Sequence, residues 1–403
     1  MNRRGFVAAA GAVPLAAAAF SSQSTASEGA APLPSESGYG PWLEIDRQRL
    51  SWNIEQMSSR INQRPILAVL KNNAYGHGAA GTAGHLESLK AVWGLAVFKP
   101  SEALELREAG IRKPVLVFSA VSDGQLGELV SREITPSIFS DQSATLMRLA
   151  EKLGRPIPVH LYVDTGLGRQ GVPYHRALPL AEKLGKSKGI RFDGVLTGLT
   201  EDSEFDREQV RRLQELCDQA AQRGIDLGRR HAASSSGVFH CPEAYLDMVR
   251  PGIGVYGCYP DDASLKAQEL TLKPALSLKA KLVQVKRLRA GDSLQYHRVY
   301  KARQPVWIAT LPVGYSDGWP SSSVNASKVL IRSKEYPVVA SVTSNHTLVE
   351  LGPETAVQPG DTATLIGTDG DHEISPHRVA SEAGKSVYSL LIGMSPLLPR
   401  LYL

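Results

Sequence analysis

Cysteine is scarce in this chain, with three in 403 residues, at positions 217, 241 and 258. That is too few for a disulfide framework, and an odd number leaves at least one thiol free. Aromatic residues make up only 6 % and lie scattered, which excludes a stacking surface for single-stranded nucleic acid. Nor is there a block of lysine and arginine: charged residues are 21 %, the signs are mixed, and the formal charge is +5. Neither nucleic acid nor an anionic membrane surface has its electrostatic footprint here. No G-x-G-x-x-G turn follows the first apolar run, so a dinucleotide-binding doubly wound sheet lacks its phosphate loop. Internal repeats are absent, and the residues offer no set of metal ligands.

What is present begins with a short address. Residues 1–20, MNRRGFVAAAGAVPLAAAAF, pair Arg3 with Arg4 and continue in a moderately apolar, alanine-rich run that is short for a bilayer span. Polar SSQSTASEG follows. The segment resembles a twin-arginine export signal over residues 1–26, ahead of a linker at 27–40, and it predicts a periplasmic destination without stable membrane association after processing. Removing two arginines and no acid leaves the remaining chain near +3.

Between residues 41 and 260, eight short apolar runs alternate with helical patterns: 65–70, 92–98, 114–120, 134–139, 157–164, 192–199, 229–235 and 247–257. In 205–224 the apolar Val210, Leu213, Leu216 and Cys217 recur at helical spacing, with Gly224 as the stop signal. With 42 % hydrophobic residues the chain can fill sizeable cores. These observations predict an α/β fold in which residues 41–272 form an N-terminal (β/α)8 TIM-like barrel. After about residue 272 the helical period gives way to strand patterns broken by turn residues. Residues 273–403 therefore read as a mainly β C-terminal domain.

In such a barrel, residues at the carboxyl ends of the strands face the mouth. Lys71 follows strand one in ILAVLKNNAYGHG, Arg169 follows strand five, Ser234–Ser236 follow strand seven, and Arg250-Pro-Gly-Ile-Gly follows strand eight. The amides of Gly252 and Ile253, with the Ser235 hydroxyl, would make a phosphate cradle. A lysine beside such a cradle points to pyridoxal phosphate bound through the amine. A phosphorylated-sugar aldolase shares that spacing, and position alone leaves both open.

AVLKNNAYGHG resembles the cofactor-attachment motif of the alanine racemase family. YVDTGLGRQG, HAASSSG, DMVRPGIGVYG, SLQYHRVYKA and LPVGYSDGWP match further blocks of that family in its order, across about residues 41–403. The resemblance implies a pyridoxal 5'-phosphate enzyme that racemises amino acids with two bases. It implies Lys71 as attachment lysine and first base, and Tyr296 as the opposite base, delivered by the partner of a homodimer. Arg250 is implied to face the pyridine nitrogen, and Tyr75, Ser235, Gly252, Ile253 and Tyr315 to hold the phosphate. Arg169 is implied to orient the Tyr296 phenol near the substrate carboxylate. His77 and Asp164 read as residues that order their own loops.

Four positions depart from the family's pattern. Tyr162 stands where a lysine, often carbamylated, precedes the VDTG block, and Gly198 replaces the histidine that backs the cofactor ring. Ser344-Asn345 replace a Met-Asp pair at the substrate, and Pro396 replaces an aromatic residue near the C-terminus. These swaps read as a loss of bulk and charge around a pocket sized for a methyl group. The expectation that follows is an exported racemase of broad specificity, acting on basic or other non-β-branched amino acids. Its rivals are a strict alanine racemase, a lyase or decarboxylase on the same scaffold, and a weakly active cofactor-binding protein.

Overall fold

The computed structural model describes residues 38–403. The proposed export signal and most of the linker lie outside the described residues. Strand one of the barrel, Ile66–Val69, is buried at every position, and strand two, Val92–Val97, at all but Trp93. Strands so apolar on both faces need covering on both sides, which parallel pairing with helical crossovers supplies. The order continues in sequence through Val115–Val117, Ile134–Ile138, Ile157–Asp164, Ile190–Leu196 and Arg229–His231, every pair parallel. Residues 247–251 take the eighth place. The Leu67 and Val69 amides donate to Val249 O (2.9 Å) and Pro251 O (3.0 Å). On the other edge, the Asp247 and Arg250 amides donate to Arg230 O (3.1 Å) and Ala233 O (2.8 Å). All eight predicted runs thus hold their places in one ring.

The covering helices start and stop where local chemistry says they should. Asp46 caps Arg47–Arg60 by accepting the Arg49 amide at 3.0 Å, and Asp202 caps Ser203–Gln222 by accepting those of Glu204 and Phe205. The second of these helices buries Val210, Leu213 and Leu216 of the stripe predicted from its period and leaves Cys217 half-buried. Gly224, at φ +73°, takes the left-handed turn beyond it.

The second domain is a ten-stranded sheet. Its path runs Gln284–Leu288, Val306–Leu311, Thr347–Gly352, Lys334–Val342, Lys328–Ile331, Thr362–Asp369, Leu276–Lys281, Trp42–Ile45 and Arg400–Tyr402, with His372–Ile374 off Thr362–Asp369. Trp42–Ile45 corrects the boundary drawn at residue 41. It pairs antiparallel with Leu276–Lys281 and parallel with Arg400–Tyr402, so the barrel's own elements start at Arg47. The same pairing carries the chain's end over the barrel mouth, where the Tyr402 hydroxyl donates to His77 O at 3.0 Å and Arg400 Nε to Gly76 O at 3.0 Å. No helix among the described residues is long and apolar enough to cross a membrane, and all three cysteines are free thiols.

Candidate active site

At the end of strand one the chain leaves Lys71 at the mouth and winds through Asn72, Asn73, Ala74 and Tyr75 with left-handed backbone angles. One carboxylate holds this turn against the neighbouring strand. Glu102 Oε1 accepts the Asn72 amide at 2.6 Å, and Oε2 accepts those of Phe98 (3.1 Å) and Lys99 (2.9 Å). Asn73 Oδ1 accepts the Ala79 amide at 2.7 Å. His77, fully buried, donates through Nδ1 to Ala74 O and Tyr75 O and stays neutral, its pKa pushed down to about 4 by burial. Burial lowers the Lys71 amine from its ordinary value, the Arg169 guanidinium adds to the effect, and Glu102 opposes it. An amine so placed gives up its proton more readily than a free lysine, as a base or nucleophile must.

Opposite lies the cradle. Ser235 Oγ accepts the amides of Gly252 (2.9 Å) and Gly254 (3.1 Å). Gly252 has to be glycine, because a Cβ there would stand 2.3 Å from the Tyr75 hydroxyl. Tyr75 is buried, its phenol held protonated by desolvation, with ring centroids 5.1 Å from Tyr256 and 6.2 Å from Tyr388. Arg250 is 8 % exposed and has no carboxylate partner among the described residues. Its guanidinium donates to Thr197 O (2.6 Å), Ala232 O (3.0 Å), His231 O (2.5 Å) and His231 Nδ1 (3.1 Å). With Nδ1 accepting, His231 donates from Nε2 to His160 Nδ1 at 2.8 Å. Burial holds both rings neutral, His160 at about 4 and His231 well below its ordinary value. Burial also takes Arg250 down to about 10, still charged at neutral pH.

Lys71, Tyr75, Arg169, Arg250, Gly252 and Ile253 line one cavity of about 590 Å³. A lysine amine, a small-residue cradle with amide and hydroxyl donors, and an unpaired arginine on a neutral imidazole relay fit a phosphorylated heterocyclic aldehyde. The buried arginine decides it, for a phosphosugar offers no ring nitrogen for that wall to face. Ser235 and Gly252 would hold the phosphate, Lys71 the aldehyde carbon, and Arg250 the ring nitrogen.

The remaining predicted residues lie elsewhere. Tyr296 is 77 % exposed on the turn of a hairpin, and Tyr315 is 58 % exposed on Tyr315–Asp317 of the second domain. Tyr315 sits with Ser344 and Asn345. Its amide donates to Thr343 O (3.0 Å), while Asn345 Nδ2 reaches Ser316 Oγ (3.1 Å). The phosphate role implied for Tyr315 has no support in its own chain, because there that tyrosine does not line the Lys71 cavity. Tyr388, on the helix Val387–Ile392, does, beside Tyr75. Sequence reading missed it because KSVYSLL carries only a helical stripe. It also missed Glu201, which lines the cavity with φ +67° and a carboxyl raised by burial, then by Asp206 and Asp261. At one of the four replaced positions, 162, the expected loss of bulk is not seen. Tyr162, 6 % exposed, also lines the cavity, and its hydroxyl lies 3.5 Å from where a Gly198 Cβ would sit. Pro396 stands in the closing segment, its carbonyl accepting from Arg400 Nη1 at 3.1 Å.

Comparison with known proteins places these features. The family model described as alanine racemase, N-terminal domain, matches residues 45–260, and that of the C-terminal domain matches residues 275–402. An alanine racemase of Symbiobacterium thermophilum is 36 % identical over 367 residues, covering 90 % of this chain and 96 % of that protein. One of Methanococcus maripaludis is 32 % identical over 370 residues, covering 90 % and 98 %. Among solved structures, alanine racemase from D-cycloserine-producing Streptomyces lavendulae superposes with a TM-score of 0.84 at 28 % identity, covering 91 % and 98 %. That from Clostridium difficile 630 does so with 0.84 at 30 %, covering 90 % and 96 %.

Proposed function

The chain belongs to the alanine racemase family, and from that premise we propose that it interconverts L- and D-alanine at the Lys71 cavity. It is a pyridoxal-phosphate-dependent racemase; its substrate, dimeric state and location are our reading. The observation that carries the reading is the split of the two bases. Lys71 stands in the cavity with a lowered pKa, while Tyr296 projects into solvent from the other domain. A second copy in head-to-tail contact would bring Tyr296 over the opposite face of the substrate.

Bound there, pyridoxal phosphate makes the substrate's α-proton removable by drawing electron density from the α-carbon. The chain's own groups do the rest. The Lys71 amine takes or returns that proton on one face, and the Tyr296 phenol of the second copy does so on the other. Arg169 supplies a cation for the substrate carboxylate, and Arg250 keeps positive charge at the ring nitrogen without giving up its own proton.

Alanine is favoured over larger substrates because the Tyr162 ring occupies space next to Gly198 that the replacements had been expected to open. Broad specificity is the second reading, supported by the small polar pair Ser344 and Asn345 on the second domain. Exchange of α-protons in heavy water, run with each common L-amino acid, separates the two. Exchange confined to alanine is expected; equal rates with lysine or arginine would establish the broad range. Absence of exchange with every amino acid, cofactor bound, would refute racemisation, and ketone or amine products would indicate a lyase or decarboxylase. We also propose export to the periplasm on the strength of Arg3-Arg4 and the run after them. A processed chain in the periplasmic fraction is the expected result, and an unprocessed chain confined to the cytoplasm the contrary one.

A further inference from the structure

Gly198 raises a question that backbone geometry does not answer. Its φ lies outside the left-handed range that favours glycine, so what matters here is the space around it. A Cβ at this position would meet Leu167 Cδ2 at 2.9 Å and the Tyr162 hydroxyl at 3.5 Å. The backbone is not free to withdraw. Thr197 O accepts from Arg250 Nη2 at 2.6 Å, and Gly198 O accepts from Gln209 Nε2 at 3.0 Å. Gln209 Nε2 also donates to Thr165 Oγ1 at 3.2 Å, and Thr165 Oγ1 bonds Thr197 Oγ1 at 2.7 Å. Strand six is therefore pinned on both sides where it enters the cavity.

Tyr162 is equally fixed. It comes from strand five, next to strand six, with Tyr162 opposite Leu196 in register. Phe139 braces its ring edge-on, centroids 6.2 Å apart at 87°. Its hydroxyl makes no hydrogen bond among the described residues, and the ring lines the cavity together with Arg250. An aromatic ring braced by Phe139 thus borders the cavity that Arg250, Lys71 and Gly198 also line.

We propose that the Tyr162 ring is the wall against which the pyridine ring of bound pyridoxal phosphate packs, with glycine at position 198 leaving the ring its room. The two positions act as one unit: strand five supplies the bulk and strand six the room. This rests on the cofactor occupying the Lys71 cavity.

Cofactor affinity is the readout, measured by titrating the cofactor-free full chain with pyridoxal phosphate and following the absorption of the lysine-linked form. Tyr162→Leu, which keeps an apolar side chain without a ring, is expected to bind roughly three- to tenfold more weakly, the range of one aromatic contact. Tyr162→Phe is expected to stay within about twofold, since the ring carries the contact. Gly198→Leu, whose side chain extends beyond a Cβ already in contact with the Tyr162 hydroxyl, should weaken binding in the wild-type chain and cost distinctly less in the Tyr162→Leu background. A Tyr162→Leu chain that binds as tightly as wild type overturns the proposal. So does an equal cost of Gly198→Leu in both backgrounds. A wild-type chain that forms no lysine-linked cofactor at all overturns the cavity assignment beneath it, which the first two results leave standing.

Discussion

Asn72, Asn73, Ala74 and Tyr75 hold φ values of 55°, 55°, 53° and 50° in succession. Asparagine tolerates this region, whereas for alanine and tyrosine it costs on the order of 1–2 kcal/mol each. Glu102 ties the turn to the neighbouring strand, its two oxygens taking the Asn72 amide from the turn and those of Phe98 and Lys99 from beyond strand two. Charge-assisted bonds of this kind are the stronger class. Glu102→Gln presents one acceptor and an amide that opposes the remaining donors, so a loss of roughly 1–3 kcal/mol is expected in urea unfolding. The charge matters separately. Glu102 raises the Lys71 amine against the lowering by burial and Arg169, so the variant amine should titrate lower still. The pH at which the cofactor-free chain captures pyridoxal phosphate half-maximally should fall with it. An unchanged capture profile together with unchanged stability would leave Glu102 no part in positioning the lysine.

The hairpin Ser293–Leu294 and Tyr300–Lys301 shows how one element serves a site it does not enter. Leu294 and Ala302 are anchored in a small cluster with Leu288, Val306 and Ile308, which leaves the intervening turn proud of the surface. Gln295, His297 and Arg298 all take positive φ, and Tyr296 faces solvent. If that turn serves a second copy, two inactive variants should complement. Mixing Lys71→Ala with Tyr296→Phe under conditions that exchange subunits yields mixed dimers with one intact site, about a quarter of full activity at equal amounts. No recovery would place both bases in one chain. The same hairpin marks a limit of sequence reading. Lys71, Arg169, Ser235 and Arg250 were legible because each lies at or shortly beyond the end of a recognisable barrel strand, and strand order determines which residues share the mouth. Tyr388 and Glu201 were not, since only tertiary packing brings a C-terminal helix and a left-handed loop residue to the cavity. Trp42–Ile45 reads as a strand in either domain; which sheet it joins depends on pairing with Leu276–Lys281, more than two hundred residues on.

Across the whole molecule, three histidines are buried where acid would do most harm. His77 joins the Lys71 turn to the chain's end through Tyr402, and its Nε2 has no partner. His160 and His231 lie inside the barrel behind Arg250. All three are kept neutral by burial, His77 and His160 with pKa values of about 4 and His231 lowered as well. The unfolded chain takes up protons at these rings near pH 6.5, whereas the folded chain refuses them until much lower. Between those limits the unfolded state binds more protons, so stability is fully present above about pH 6.5 and declines as pH falls toward 4. By linkage His77 and His160 would each withdraw roughly 3 kcal/mol by pH 4, comparable together to the net stability of many domains. Acid should therefore loosen the mouth and the Arg250 wall together, releasing cofactor before the carboxylate ion pairs titrate. Urea midpoints measured at pH 7.5, 6 and 5 should fall steadily, with bound cofactor lost over the same interval. His160→Gln removes one proton site, so its midpoint should fall less steeply than that of wild type over this range, whatever its starting stability. Equal slopes in the two chains would show that the histidine behind Arg250 is not part of the acid response.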